Sequence, residues 1–354
     1  MAWTIDDLDS PSVLIDLDKV EANLKRAQAY ADSHGVRLRP HIKTHKLPEL
    51  AKLQLDLGAI GITCQKLGEA EVMADAGITD ILLTFNLLGR PKMAKLVDLA
   101  RRVKMTVVVD NAVVAGELSQ AMAAAGLVLD VLVECDTGAD RCGVQSPEDA
   151  LALAREIDRL PGLRFAGIMT YPPKGRTQHV NAWLAEAKAT IERGGIDCAT
   201  VSNGGTPDLF RAHEVSVATE HRPGTYIYSD RSQVAGGLLT LEDCALRVLT
   251  TVVSRPTDNR AIFDAGSKTL TSDLLGMPDY GHVVEYPQLV IEKFSEEHAH
   301  VDCSKSNARP RVGERISVIP NHACVVSNMF DTVYGVRGDR VERAFRVAAR
   351  GLVQ

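Results

Sequence analysis

From Val13 to about Tyr228 the chain alternates short β-branched runs with amphipathic helical segments, and this alternation limits most strongly what it can fold into. Read as strands, the runs are Val13 to Asp16, Leu38 to Lys43, Gly61 to Gln65, Ile81 to Phe85, Met105 to Asp110, Val131 to Asp136, Phe165 to Tyr171 and Thr200 to Asn203. Between them lie helical patterns such as Asp18 to His34, Gly68 to Ala76, Pro91 to Arg102, Val113 to Ala125, Pro147 to Arg159 and Asn181 to Glu192. Eight such strands, at a spacing of roughly 25 to 30 residues, predict an α/β fold, a TIM-type (β/α)8 barrel. After Tyr228 the segments Arg247 to Val253, Arg260 to Asp264, Gln288 to Phe294, Arg315 to Ile319 and Thr332 to Val336 are strand-like, with no long helical pattern between them. A C-terminal all-β domain is therefore expected over residues 236–354, joined by residues 1–10, with the barrel occupying 11–235.

Composition sets limits on partners and compartment. A net charge of -6 with mixed signs and no basic run argues against nucleic acid. There is no apolar stretch of about 18 residues and no charged-then-apolar leader, so neither a membrane span nor a secretory signal is expected. The seven cysteines are odd in number and scattered, which suits a reducing, cytoplasmic setting better than a disulfide framework.

The chemistry-bearing segments fall at predicted strand ends. Arg39-Pro40-His41-Ile42-Lys43-Thr44-His45-Lys46 puts two lysines and two histidines where a strand gives way to the helix opened by Leu47-Pro48-Glu49. Carboxyl ends of strands are where α/β folds collect their functional groups, so Lys43 is the leading candidate, with a solvated basic loop as the plain alternative. Asn203-Gly204-Gly205-Thr206 follows the last strand, where adjacent glycines let backbone N–H groups approach an anion; a tight turn needs the same glycines. Pro223-Gly224-Thr225-Tyr226 could supply further phosphate donors. Arg141, in Asp140-Arg141-Cys142-Gly143-Val144, lies just past a strand end.

Together these segments resemble the alanine-racemase-type (fold type III) pyridoxal phosphate enzymes. Within them the chain is similar to the branch of metal-activated D-threonine aldolases and D-serine dehydratases. The likeness is carried by Arg39 to Lys46, Cys64-Gln65-Lys66, Arg141 to Val144, the Ser202 to Thr206 loop, Gly224 to Tyr226 and Asp264 to Lys268, and runs from about Asp9 to Gly351. The resemblance implies that Lys43 carries pyridoxal 5'-phosphate covalently. It implies further that Ser202, Asn203, Gly204, Gly205, Thr206, Gly224, Thr225 and Tyr226 hold the phosphate, and that Arg141 lies near the pyridine ring. Gln65 and Tyr171 would face cofactor or substrate, with capping or packing as the alternative. His41 and His45 would tune or orient, or simply pack.

The second domain carries Pro320-Asn321-His322-Ala323-Cys324. On a strand, His322 and Cys324 would share one face, and imidazole with thiolate suits Zn²⁺, with Mn²⁺ or Mg²⁺ as alternatives. The family's metal pair occupies this position, and His298 resembles an element that would lie behind it. The implied activity is a lyase acting on D-3-hydroxy amino acids. Tyr171 followed by Gln178-His179 is similar to the aldolase pattern, with His179 taking the hydroxyl proton as Cα–Cβ cleaves to glycine and an aldehyde. Cys324 is the dehydratase-like choice, and in that alternative Lys43 removes the Cα proton and the hydroxyl leaves as water, giving a 2-oxo acid and ammonia. A racemase or a non-catalytic pyridoxal phosphate carrier fits less well, because of the metal pair and the second domain. The resemblance also implies a homodimer.

Overall fold

The computed structural model describes residues 3–354, which divide into two compact units. One runs from Arg26 to Lys43 and from Pro48 to Gly224, with Leu352–Gln354; the other takes the residues up to Lys25, then Thr44–Leu47 and Thr225–Gly351. The units therefore part at Gly224/Thr225 rather than at residue 235, and residues 11–25 lie with the β unit.

The reason lies in the first strand, β1 (Ser12–Asp16), which leads into α1 (Leu17–His34). Val13 to Asp16 was expected to open the barrel, but β1 instead pairs antiparallel with Leu246–Leu249 and parallel with Tyr334–Val336. Its apolar residues are fully buried, and a doubly covered strand reads the same in either sheet. Pairing across more than two hundred residues leaves no local signal. Along α1 the buried Val20, Leu24, Ala27 and Ala31 recur at helical spacing.

The parallel sheet of the barrel unit is β2 (Ile62–Cys64), β3 (Asp80–Leu83), β4 (Lys104–Val109), β5 (Leu129–Glu134), β6 (Leu163–Met169), β7 (Thr200–Asn203) and β8 (Glu220–His221), in that order. The helices α2 (Pro48–Asp56), α3 (Leu67–Asp75), α4 (Arg90–Arg102), α5 (Ala112–Ala125), α6 (Pro147–Arg159) and α7 (Thr177–Arg193) alternate with the strands. Local chemistry sets their ends: Ser146 accepts from the Asp149 N–H ahead of Pro147, and Asn111 accepts from the Val114 N–H. The core is aliphatic, with Ile81, Val107, Val131 and Ile168 of the strands facing Leu96, Leu118, Ile157 and Leu184 of the helices.

Both edges of this sheet meet the segment 38–41. Leu38 bridges His221 of β8, and His41 bridges Thr63 of β2, both in parallel sense. Arg39 N–H donates to His221 O at 2.9 Å, and Thr63 N–H donates to Pro40 O at 2.7 Å. The expected strand Leu38 to Lys43 is thus the closing stave of a TIM-like barrel, but no regular strand forms. Pro40 has no N–H to give a ladder, and Ile42–Thr44 tightens into a 3-10 turn. The eighth regular strand, β8, is two residues long and was not foreseen. Its Glu220 carboxylate, buried, accepts from Arg39 Nε at 2.8 Å, while Arg39 also pairs with Asp80 beside β3.

The β unit is a mostly antiparallel sheet ordered β12-β13-β10-β9-β1-β15-β16, where β9 is Leu246–Thr257, β10 Arg260–Phe263, β11 His282–Val283, β12 Val290–Phe294, β13 Ala299–Asp302, β14 Arg315–Ile319, β15 Thr332–Arg337 and β16 Arg340–Arg346. β14 pairs with β9 and β11 off this path. The short helices α8 (Arg231–Ala235), α9 (Ser267–Leu270) and α10 (Ala323–Met329) interrupt it. Asp264, of the segment ending at Lys268, is an anchor: its carboxylate accepts from the Thr251 N–H (2.8 Å) and the Ser10 hydroxyl (2.6 Å). Lys268 is exposed and pairs with Glu296 and Glu297. Among the described residues no helix is long and apolar enough to cross a membrane.

Candidate active site

Lys43 stands half-buried in the 3-10 turn that follows the closing stave. Its backbone N–H points at His41 Nδ1 (3.4 Å), and His41 Nε2 lies 3.0 Å from Gln65 Oε1. With Nδ1 accepting, the network assigns the ring hydrogen to Nε2, which donates to Gln65. Gln65 is itself held, its side-chain amide donating to Thr84 O (2.8 Å) and its backbone N–H to Glu69 Oε2 (2.7 Å). His41 and Gln65 thus orient the lysine's turn from the ends of neighbouring staves. Lys46 is buried in left-handed backbone (φ 56°) and donates to Asn328 Oδ1 at 2.7 Å. His45 is buried, and its Nδ1 accepts from the Leu47 N–H at 3.0 Å.

The loop after β7 is shaped around a histidine. Gly204 has φ +109°, and a Cβ built there would stand 2.1 Å from Nδ1 of His221. His221 is buried in the strand next door and donates from Nε2 to Gly205 O (3.0 Å), so its ring braces the loop from below. Burial, helped by the Arg222 charge, pulls this imidazole down to about 4, which keeps it neutral. Gly205 is extended and lies 3.3 Å from the Tyr171 ring by the same construction. The Thr206 hydroxyl accepts from the Gly224 N–H at 3.0 Å, tying the two glycine loops of the barrel unit together. Ser202 faces inward, donating to Glu220 and accepting from Arg222 Nη1 (2.6 Å). The side-chain oxygen of Asn203 is buried with no partner among the described residues.

Arg141 lies over the Tyr171 ring, 4.5 Å from its centroid, with Nη2 3.8 Å from Glu134 Oε1. Glu134 is buried at the end of β5; burial raises its carboxyl, with Arg141 opposing. Tyr171 and Arg141 are both exposed on their outer sides, as is His179 in the first turn of α7.

In the β unit, His322 and Cys324 do not share a strand. His322 is the residue preceding α10 and Cys324 lies in that helix's first turn, so the strand argument for their common face fails. The chain turns immediately after β14, and the turn itself brings the two side chains into hydrogen-bond contact. Asp230 holds this turn, its buried carboxylate accepting from the Ala323 N–H at 3.0 Å. His322 Nδ1 lies 2.9 Å from Asp273 Oδ2, so Nε2 is the ring nitrogen that would face a metal. The bond to the thiol, with the Asp273 and Asp230 carboxylates, outweighs burial and raises His322 to about 9. Burial opposes ionisation of Cys324, yet His322 and the hydroxyls of Thr44 (3.2 Å) and Thr225 (3.5 Å) hold the thiol below its usual range. Tyr226 and Tyr228, which follow Thr225 in sequence, are buried, and the Tyr228 hydroxyl has no partner among the described residues. His298 is exposed in the turn between β12 and β13 and makes no hydrogen bond to the pair.

The residues fit both groups the resemblance implies. In the barrel unit a half-buried lysine, a glycine loop that any Cβ at 204 would fill, and an aromatic–guanidinium pair suit a phosphorylated aromatic aldehyde. In the β unit an imidazole and a thiol leaning towards thiolate suit a borderline-soft cation. No set of three or more His, Cys, Asp or Glu side chains arranged for a metal occurs among the described residues. Sequence reasoning missed Thr44, Asp230, Asp273, Glu134, Arg222 and His221. Only Thr44, next to Lys43, carried a local hint.

Comparison with known proteins gives the family. The family model described as alanine racemase, N-terminal domain, matches residues 15–232, and a putative serine dehydratase domain matches residues 245–336. D-threonine aldolase of Arthrobacter sp is 39% identical over 97% of this chain and 93% of its own. D-threo-3-hydroxyaspartate dehydratase of Delftia sp. (strain HT23) is 30% identical over 96% of this chain and 97% of its own, and a dehydratase of that name has been solved in a metal-free form. The crystal structure of D-threonine aldolase from Filomicrobium marinum superposes with a TM-score of 0.90 at 37% identity, covering 100% of this chain and 99% of that one.

Proposed function

The chain belongs to the alanine racemase N-terminal domain family, extended by a serine-dehydratase-type β unit, and from that premise we propose that it is a lyase using pyridoxal phosphate and a divalent metal to cleave D-3-hydroxy amino acids as D-threonine aldolases do. The observation that carries the reading is the residue after the lysine: the Thr44 hydroxyl sits 3.2 Å from Cys324, which is bonded to His322. A cofactor lysine and a metal pair are thereby linked through one peptide bond and one hydrogen bond.

When bound, pyridoxal phosphate draws electrons from the breaking Cα bond while the divalent ion, Zn²⁺ by the donor set, polarises the substrate's β-hydroxyl. Lys43 holds the cofactor, its turn oriented by His41 and Gln65. Asn203, Gly204, Gly205, Thr206, Gly224, Thr225 and Tyr226 receive the phosphate; Ser202 shapes this loop from beneath through Glu220 and Arg222. Arg141, stacked on Tyr171 and backed by Glu134, keeps a positive charge by the ring. His322 and Cys324 hold the metal, with Asp273 keeping the imidazole hydrogen on Nδ1. His179 takes the hydroxyl proton as the Cα–Cβ bond opens. The protein is read as a cytoplasmic homodimer, its seven cysteines all free thiols.

Cys324 favours a second reading, the dehydratase, in which the Lys43 amine takes the Cα proton and water leaves. Product analysis separates the two. The protein loaded with pyridoxal phosphate and zinc is incubated with D-threonine, with L-threonine as control. Glycine and acetaldehyde from the D-isomer alone establish the aldolase; 2-oxobutanoate and ammonia establish the dehydratase; no product from either overturns the proposal.

A further inference from the structure

The β unit contains a cleft that the reaction does not use. It has a volume of about 420 Å³, within the range of small-molecule sites, and is walled by Lys19, Arg247, His282, Leu241, Val284 and Ile319, with Glu242 at its exposed rim. Arg247 is the informative residue. Its Nε is buried and has no hydrogen-bond partner among the described residues, and the guanidinium forms no ion pair there. The other enclosed arginines are all engaged: Arg39 by Glu220 and Asp80, Arg222 by Ser202 and Thr170, Arg231 by Asp279. A donor taken out of water without an acceptor is costly, so a half-buried guanidinium that lines a cleft with its Nε buried and unpartnered suits an anionic acceptor.

Lys19 points the same way. Among the described residues its ammonium has one acceptor, the Cys244 carbonyl at 3.3 Å, which leaves two of its three donors for another group. Burial lowers the His282 imidazole, with Arg231 adding to it, so that wall is neutral and polar. The remaining walls are aliphatic, and Val284 keeps 37% of its surface exposed. A lining of two cations, several apolar side chains and one exposed carboxylate suits an anion with a hydrocarbon body.

We propose that this cleft is a second binding site, separate from the Lys43 and His322 sites, and that its ligand is a small organic carboxylate whose acid group sits between Arg247 and Lys19. The carboxylate oxygens accept from Arg247 and the Lys19 ammonium, and its body lies on Leu241, Val284 and Ile319. The inference does not depend on which reaction the protein catalyses.

The test is equilibrium dialysis of benzoate against the pyridoxal phosphate- and zinc-loaded protein, with inorganic phosphate as an anion lacking an apolar body. Benzoate is expected to bind saturably, and phosphate at least tenfold more weakly. Arg247→Met, which keeps the length of the side chain, should weaken benzoate at least tenfold. Val284→Trp, which fills the cleft from its exposed wall and leaves every charge in place, should do the same. Glu242→Gln should tighten it by removing the rim charge. Retained absorbance of the bound cofactor and an unchanged circular dichroism spectrum show that each variant is folded. No saturable binding, binding equal in wild type and both blocking variants, or phosphate binding as tightly as benzoate would each overturn the proposal.

Discussion

Substituting alanine for Gly204 tests how the glycine loop is built. At φ +109° an L-residue is strained, by about 1–3 kcal/mol. The new Cβ would also stand 2.1 Å from His221 Nδ1, and that ring cannot step aside because it is buried and bonded to Gly205. Overpacking of this kind costs a further ~1–3 kcal/mol, so Gly204→Ala should destabilise the barrel unit by about 2–6 kcal/mol. Gly205→Ala is the internal control: its backbone is extended, and its Cβ would meet the edge of the exposed Tyr171 ring at 3.3 Å and Pro207 Cδ at an ordinary 3.6 Å. Its cost should stay below about 1 kcal/mol. The chain has two tryptophans, Trp3 and Trp183, so in a Trp3→Phe background the fluorescence of Trp183 on α7 follows the barrel unit through urea unfolding. Equal midpoints for the two alanine variants would refute the account of the loop as moulded on His221.

Other outcomes follow from the same geometry. The neutral His221 lies below its unfolded value of 6.5, at about 4. Its contribution is complete above pH 6.5 and falls as pH drops towards 4, at about 1.4 kcal/mol per pH unit, because the unfolded chain takes a proton the fold refuses. Urea midpoints measured at pH 7 and pH 5 should show this slope in wild type and lack it in His221→Asn. Glu220→Ala removes the carboxylate shared by Arg39 and Ser202 and should cost about 3–5 kcal/mol, read by the same unfolding curve. Asp273→Asn should weaken metal binding about 10–100-fold in a chelator competition; unchanged affinity would show that the imidazole needs no such support. Lys43→Ala should abolish the visible absorbance of bound cofactor, whereas Lys46→Ala should keep it.

Much of the barrel was readable because each βα unit advertises itself locally, through a short apolar run and a periodic helix with its own caps. Two strands were not. Val13–Ile15 looks like any buried strand, and only its distant partners assign it to the other sheet. Glu220–His221 is too short and polar to register as a strand, and it is held by Arg39 and by the closing segment rather than by propensity. At the candidate site, the lysine, the glycines and the His-x-Cys pair had local signatures. The groups that orient them, Asp273, Asp230, His221 and Glu134, lie scattered along the chain and become visible only when folding brings them together. The His322–Cys324 expectation shows the limit from another side: the two residues meet, but through the turn into α10 rather than through strand alternation.

The place of β1 governs the order in which this protein can be made. It lies between β9 and β15, so an interior strand of the β sheet leaves the ribosome first and its neighbours follow more than 200 and 300 residues later. During synthesis, at about 5–20 residues per second, that apolar segment waits roughly ten seconds or longer for a partner. The nascent chain therefore carries an unsatisfied strand while every stave of the barrel is being completed. A stop codon anywhere before β9 yields a product with that strand permanently exposed, so truncated chains are the natural substrates of chaperones and proteases rather than free-standing barrels.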